Sequence, residues 1–222
     1  MKKSMIGFIL LISALPFASA CGQTDYSAYV SDVRSDVFLA ETETFSLRLS
    51  CLSRERPYTL DGIPSPKSNL VEIVLTPASP TSEDVSVIVE GEKEYGGEMT
   101  YRAVSDDYYY SQGVESFPSR SVTLRVTYGG EEVSLTATSV KNENTISPEQ
   151  ALDYAVKSEK ETVKRLADKN GFQGEFQVRL LRREQNYYFV GITDKTGKTV
   201  CLLLNAETGE VLARHERETH GH

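Results

Sequence analysis

Val122-Thr123-Leu124-Arg125-Val126-Thr127-Tyr128, then Gly129-Gly130, then Glu131-Glu132-Val133-Ser134-Leu135-Thr136-Ala137: apolar and polar side chains alternate on both sides of a glycine pair. A period of two puts alternate side chains on opposite faces of a pleated strand, and adjacent glycines suit a tight hairpin. The same alternation recurs upstream, in Phe45, Leu47, Leu49 and Cys51, in Val71, Ile73 and Leu75, and in Val85, Val87 and Val89. Pro57, Pro64, Pro66, Pro77 and Pro80 fall between these runs, where no ladder loses a donor. With weaker runs near Val37 and Tyr101, about seven or eight strands and no helix are expected. Residues 31–141 therefore read as an all-β sandwich of Ig-like size, without the Trp and paired-Cys pin of antibody domains.

The pattern changes at Lys141-Asn142-Glu143-Asn144-Thr145-Ile146. Ser147-Pro148-Glu149-Gln150 opens a helix, with Ser147 as cap, Pro148 at the first helical position and Gln150 completing a capping box. Ala151, Leu152, Ala155, Val156, Val163, Leu166 and Ala167 form one apolar stripe, and Asn170-Gly171 ends the helix. Strands are expected over 175–183, 186–193, 199–205 and 210–214, separated by turns such as Asp194-Lys195-Thr196-Gly197 and Glu207-Thr208-Gly209. Residues 146–215 thus read as an α+β module, one long helix packed on a 3–4-stranded antiparallel sheet. Residues 216–222 read as a flexible tail.

The chain begins Met1-Lys2-Lys3, runs apolar from Met5 to Phe17, and continues Ala18-Ser19-Ala20-Cys21. A charged start, a short apolar core and small residues before the cut describe an export signal over residues 1–20. This thirteen-residue run makes a helix of about 20 Å, short of the roughly 30 Å hydrocarbon layer. Ala18-Ser19-Ala20-Cys21 resembles the lipobox of bacterial lipoproteins, with Ala18 where Leu is usual. The resemblance implies cleavage between Ala20 and Cys21, a diacylglycerol on the Cys21 thiol, and anchoring on the extracytoplasmic side of the cell membrane. Ordinary signal peptidase would cut the same bond and leave a secreted protein. Residues 21–30 read as the tether.

Composition narrows the function. The 222 residues are 39% hydrophobic and 25% charged, with a net charge of −8, so the chain is an ordinary globular one without the basic surface nucleic acid requires. Residues 21–145 carry ten basic and twenty acidic side chains, whereas residues 146–222 carry twelve of each. Cys51 and Cys201 lie in separate strand-like runs and read as small buried apolar groups, although pairing is chemically open outside the cytoplasm. His215, His220 and His222 cluster at the end, but three residues separate Glu216 from His220 where a zinc-peptidase helix has two, so no metal site is expected. No phosphate loop, serine elbow or Cys/His pair is present, and no cofactor is expected. Asp106-Asp107-Tyr108-Tyr109-Tyr110 is the most unusual string. Tyr108, Tyr109 and Tyr110 are candidate ligand contacts, against a plain reading in which the rings pack on alternate faces of a strand.

The C-terminal module resembles the PepSY domain. The resemblance lies in Ile146-Ser147-Pro148-Glu149-Gln150-Ala151-Leu152, in Tyr187-Tyr188-Phe189-Val190, and in Leu203-Leu204-Asn205-Ala206-Glu207-Thr208-Gly209-Glu210-Val211-Leu212, and covers about a third of the chain. PepSY domains occur in exported and cell-envelope proteins and are associated with binding or inhibiting peptidases. The resemblance implies a non-catalytic binding or regulatory module with a protein partner, a peptidase or another envelope component. A structural or assembly role in the envelope is the alternative, and a wall-polymer hydrolase a third reading.

Overall fold

The alternating runs settle into strands around one long shared strand, β1 (Val30–Glu41). The computed structural model describes residues 25–91 and 93–218. The export signal, Cys21, His220 and His222 lie outside these residues. After β1 come β2 (Phe45–Glu55), β3 (Lys67–Pro77), β4 (Ser86–Val89), β5 (Tyr95–Glu98), β6 (Thr100–Arg102), β7 (Asp107–Gly113), β8 (Ser121–Tyr128) and β9 (Glu131–Ser139). Two helices follow, α1 (Pro148–Ser158) and α2 (Lys160–Arg165). The chain then forms β10 (Ala167–Asp168), β11 (Gly171–Phe172), β12 (Gly174–Arg182), β13 (Asn186–Asp194), β14 (Lys198–Asn205) and β15 (Val211–Glu218).

Two separate modules were expected; the strands instead make one thirteen-stranded sheet, with β10 and β11 as a pair of their own. β1 is the junction. Its first half pairs in parallel with β12, its length pairs antiparallel with β2, and its far end pairs with β9. In the N-terminal part the order β6-β7-β3-β2-β1-β9-β8-β4-β5 curls back on itself. The result is a nearly closed, barrel-like sheet rather than a sandwich of two sheets. Gly129 and Gly130 take φ of 61° and 79°, as the β8–β9 hairpin demands.

A bulge sets the faces. Between Arg34 and Asp36 the β1 register shifts by one residue. Val33 before the bulge and Phe38 after it then point to the same side despite opposite parity. Both hydrophobic clusters consequently lie on that one side. The first contains Phe38, Leu49, Ile73 and Leu124 and is enclosed by the curling strands. The second contains Phe176, Tyr188, Ile192 and Leu202 and is covered by α1.

The expected long helix is absent. Ser147 and Gln150 form the capping box, but α1 stops at Ser158, and Glu159 takes φ −107° and ψ 36°. Ala151, Ala155, Glu159 and Val163 share one stripe, so a carboxylate occupies an inward-facing position. Glu159 is buried there because Arg214 Nε donates to its Oε1 at 2.7 Å and the Thr162 hydroxyl donates to its Oε2 at 2.7 Å. Leu166 ends α2, and Asn170-Gly171 turns the β10–β11 pair instead of capping a long helix.

Two boundaries also move. Tyr26–Tyr29, read as tether, forms a 3-10 turn capped by Asp25, and its tyrosines pack on Phe172 and Phe176. Residues 216–218, read as tail, belong to β15 and pair with Lys198–Val200 of β14. Among the described residues no helix is long and apolar enough to cross a membrane.

Candidate functional site: the charged face of the sheet

The side of the sheet opposite the two clusters gathers charge. Polar positions of the alternating strands point there: Asp32 and Arg34 of β1, Arg48 and Arg54 of β2, Glu72 of β3, Tyr109 of β7 and Arg179 of β12. Asp32 is fully buried at the centre. Arg54 Nε donates to its Oδ1 at 2.9 Å, and Arg179 Nε donates to its Oδ2. Arg54 also donates through Nη1 to Glu72 Oε1 at 3.0 Å, and the Tyr109 hydroxyl donates to the same oxygen at 3.2 Å. Arg102 lies over the Tyr109 ring at 4.6 Å and grips Asp107 with two hydrogen bonds of 2.6 and 2.8 Å. Charge-assisted, bidentate contacts of this kind fix geometry as well as charge.

The loop of residues 56–66 lies against this network. The Tyr58 ring sits 5.1 Å from the Arg54 guanidinium, and Arg179 Nη2 donates to the Tyr58 hydroxyl at 3.1 Å. Two buried carboxylates hold the loop backbone. Gly62 N–H donates to Glu175 Oε1 at 2.8 Å, and Ser65 N–H donates to Glu55 Oε1. Gly62 has φ +76°, and a Cβ there would meet the Asp194 carbonyl carbon at 2.7 Å, so the seating requires glycine. Burial pushes the Glu175 carboxyl above its ordinary value; the Ser31 and Gly62 donors oppose this and the Glu55 charge adds to it.

The tyrosine string divides across the sheet. Tyr108 belongs to the first cluster, and its hydroxyl donates to the Thr81 carbonyl at 3.3 Å. Tyr110 packs against the same cluster, with its hydroxyl on Gln112. Tyr109 alone faces the arginines. The three rings therefore do not form one contact surface. Cys51 is buried in the first cluster and Cys201 lies in β14; among the described residues both are free thiols, and burial pushes the Cys51 thiol up to about 12. His215 pairs across β14 with Cys201, and no metal-holding group of His, Cys, Asp and Glu occurs among the described residues.

No family model, curated protein or solved structure matches this chain. The PepSY likeness accordingly rests on the quoted stretches alone.

Two further surfaces bear on binding. A cleft of about 430 Å³ opens between the two clusters, lined by Val30, Val33, Lys67, Phe117, Leu152 and Val178. The outer strand β15 is exposed from Leu212 to Glu218 and, among the described residues, is bonded to β14 on one side only. Sequence reasoning missed Asp32, Arg54, Glu72 and Arg179. The available signal was weak: each is a polar residue within a strand, and their convergence depends on pairing between strands up to 147 positions apart.

Proposed function

We propose that this chain is a non-catalytic binding protein of the cell envelope, held at the membrane by lipid on Cys21. Its C-terminal half engages a protein partner, and by the PepSY likeness that partner is an exported peptidase. The observation that supports binding is β15. Among the described residues, the eight of this edge strand present an unpaired row of backbone groups, a template for an added strand. Arg214, His215, Glu216, Arg217 and Glu218 mark that edge with charge of both signs, which restrains indiscriminate aggregation and gives a partner strand something to read.

The test combines two measurements. Mass spectrometry of the mature N-terminus should show a diacylated Cys21; an unmodified cysteine there means the protein is secreted. Exported peptidases of the native host should bind residues 22–222 in a one-to-one complex. Binding should be lost in the Leu212→Lys/Ala213→Lys double variant, whose added charges obstruct strand addition while leaving the fold intact. Self-association in place of peptidase binding would move the protein to the assembly class.

A further inference from the structure

The charged face carries more cation than its ion pairs consume. Asp32 has one oxygen on Arg54 and the other on Arg179, and Glu72 Oε1 serves both Arg54 and Tyr109. Asp107 is engaged by Arg102. Arg34 and Arg48 are left over. Among the described residues neither is in an ion pair. Arg34 stands directly beside Arg179 across the β1–β12 ladder, and its Nε is buried without a hydrogen-bond partner. Arg34 is half-buried, and Arg48, four positions along β2 from the residue facing Arg34, is exposed.

Burial, followed by the charges of Arg179 and then Arg48, pulls the Arg34 guanidinium below its ordinary value, with Glu72 and Asp32 opposing. Like charges crowded together are destabilising unless a counter-ion lies among them. In a chain of net charge −8, such a concentration on one face stands out against the whole. The planar guanidinium fork matches the oxygens of tetrahedral oxyanions such as phosphate.

We propose that Arg34 and Arg48, backed by Arg179, form a binding site for a phosphate-type oxyanion at the exposed Arg48 end of the charged face of β1 and β2. The oxyanion accepts from Arg34 and Arg48 and screens both from Arg179. Free phosphate and the phosphate of an anionic lipid headgroup present the same chemistry. Asp25, which caps the folded Tyr26–Tyr29 turn, lies four residues after Cys21, and four residues span at most about 14 Å when extended. The lipid source therefore rests on the envelope reading above, whereas free phosphate does not.

The experiment uses the soluble chain of residues 22–222. Inorganic phosphate is titrated calorimetrically at low ionic strength, and flotation with phosphatidylglycerol vesicles is compared with flotation with neutral phosphatidylcholine vesicles. We expect saturable phosphate binding, competed by sulfate, that weakens by roughly tenfold or more in Arg34→Gln and in Arg48→Gln. Arg48 is exposed, so its variant tests the site even if Arg34→Gln folds poorly. Binding to phosphatidylglycerol vesicles alone, lost in the same variants, supports the site with lipid as its source. Absence of both kinds of binding up to about 10 mM phosphate overturns the proposal, as does binding that Arg48→Gln leaves unchanged. Peptidase binding through β15 is measured independently, so either reading can fail without the other.

Discussion

The two halves of the molecule bury the same kind of sheet in different ways. The N-terminal strands enclose Phe38, Leu49 and Ile73 by curling until β5 approaches β7. The C-terminal strands stay open and use α1 to cover Phe176, Tyr188 and Ile192. Curling needs many short strands and turns, which the Pro- and Gly-rich segment of residues 57–130 supplies. Covering needs an amphipathic helix, which the Ala151–Ala155 stripe supplies. The comparison teaches that a half need not be an independent body. β1 is bonded into both, and the charged network crosses the seam through Asp32, Arg54 and Arg179.

The largest effects probe whether the halves stand or fall together. Phe38→Ala and Phe176→Ala each empty one fully buried aromatic site and should cost about 3–5 kcal/mol. Denaturant melts followed by circular dichroism should show one transition for both variants, shifted to lower midpoint; two separated transitions would break the comparison. Asp32→Asn should cost about 3 kcal/mol, because it leaves two arginines at the seam without their shared carboxylate. The same melts measure it, and a loss below about 1 kcal/mol would show the seam to be ornamental.

Glu159→Leu sharpens the contrast in how the second half is covered. An apolar residue at that position completes the stripe from Ala151 to Val163. We expect α1 and α2 to fuse, raising the helical signal, with stability unchanged or up by as much as about 2 kcal/mol. An unchanged helical signal would show that the break has another cause.

Acid titration comes next. Because the folded Glu175 carboxyl lies above its ordinary value of 4.5, its contribution is fully present below that pH and is lost as pH rises through the folded value. Glu175→Gln keeps an acceptor for Gly62 N–H and should flatten that loss in melts run from pH 4 upward. Smallest is a rate: Cys201 should react with iodoacetamide faster than Cys51, whose thiol is both buried and raised to about 12. Peptide mapping after a timed quench gives the ratio, and equal rates would contradict the burial.

How far the fold was legible follows from the range of each interaction. Residues 122–137 announce their hairpin because alternation and turn are both local. The capping box at Ser147 is local too, and it is present. The helix break was half legible: the apolar stripe has a gap at Glu159, but only Arg214, 55 residues on, makes that gap a buried ion pair. β15 was cut short because Arg214-His215-Glu216-Arg217-Glu218 has no apolar alternation, and an outermost strand needs none. The parallel pairing of β1 with β12 left no trace in either segment, so two modules were expected where one sheet exists. The candidate site suffered most, since an arginine at a polar strand position looks the same whether it meets water or Asp32.

β1 also decides how the molecule bears load. A pull on the segment before Asp25 runs along the axis of β1 and is opposed by hydrogen bonds lying across that axis in two ladders at once. Such bonds must shear together rather than unzip singly. Tension that passes the Tyr26–Tyr29 turn, itself packed on Phe172 and Phe176, is thus shared between both interiors once it reaches β1.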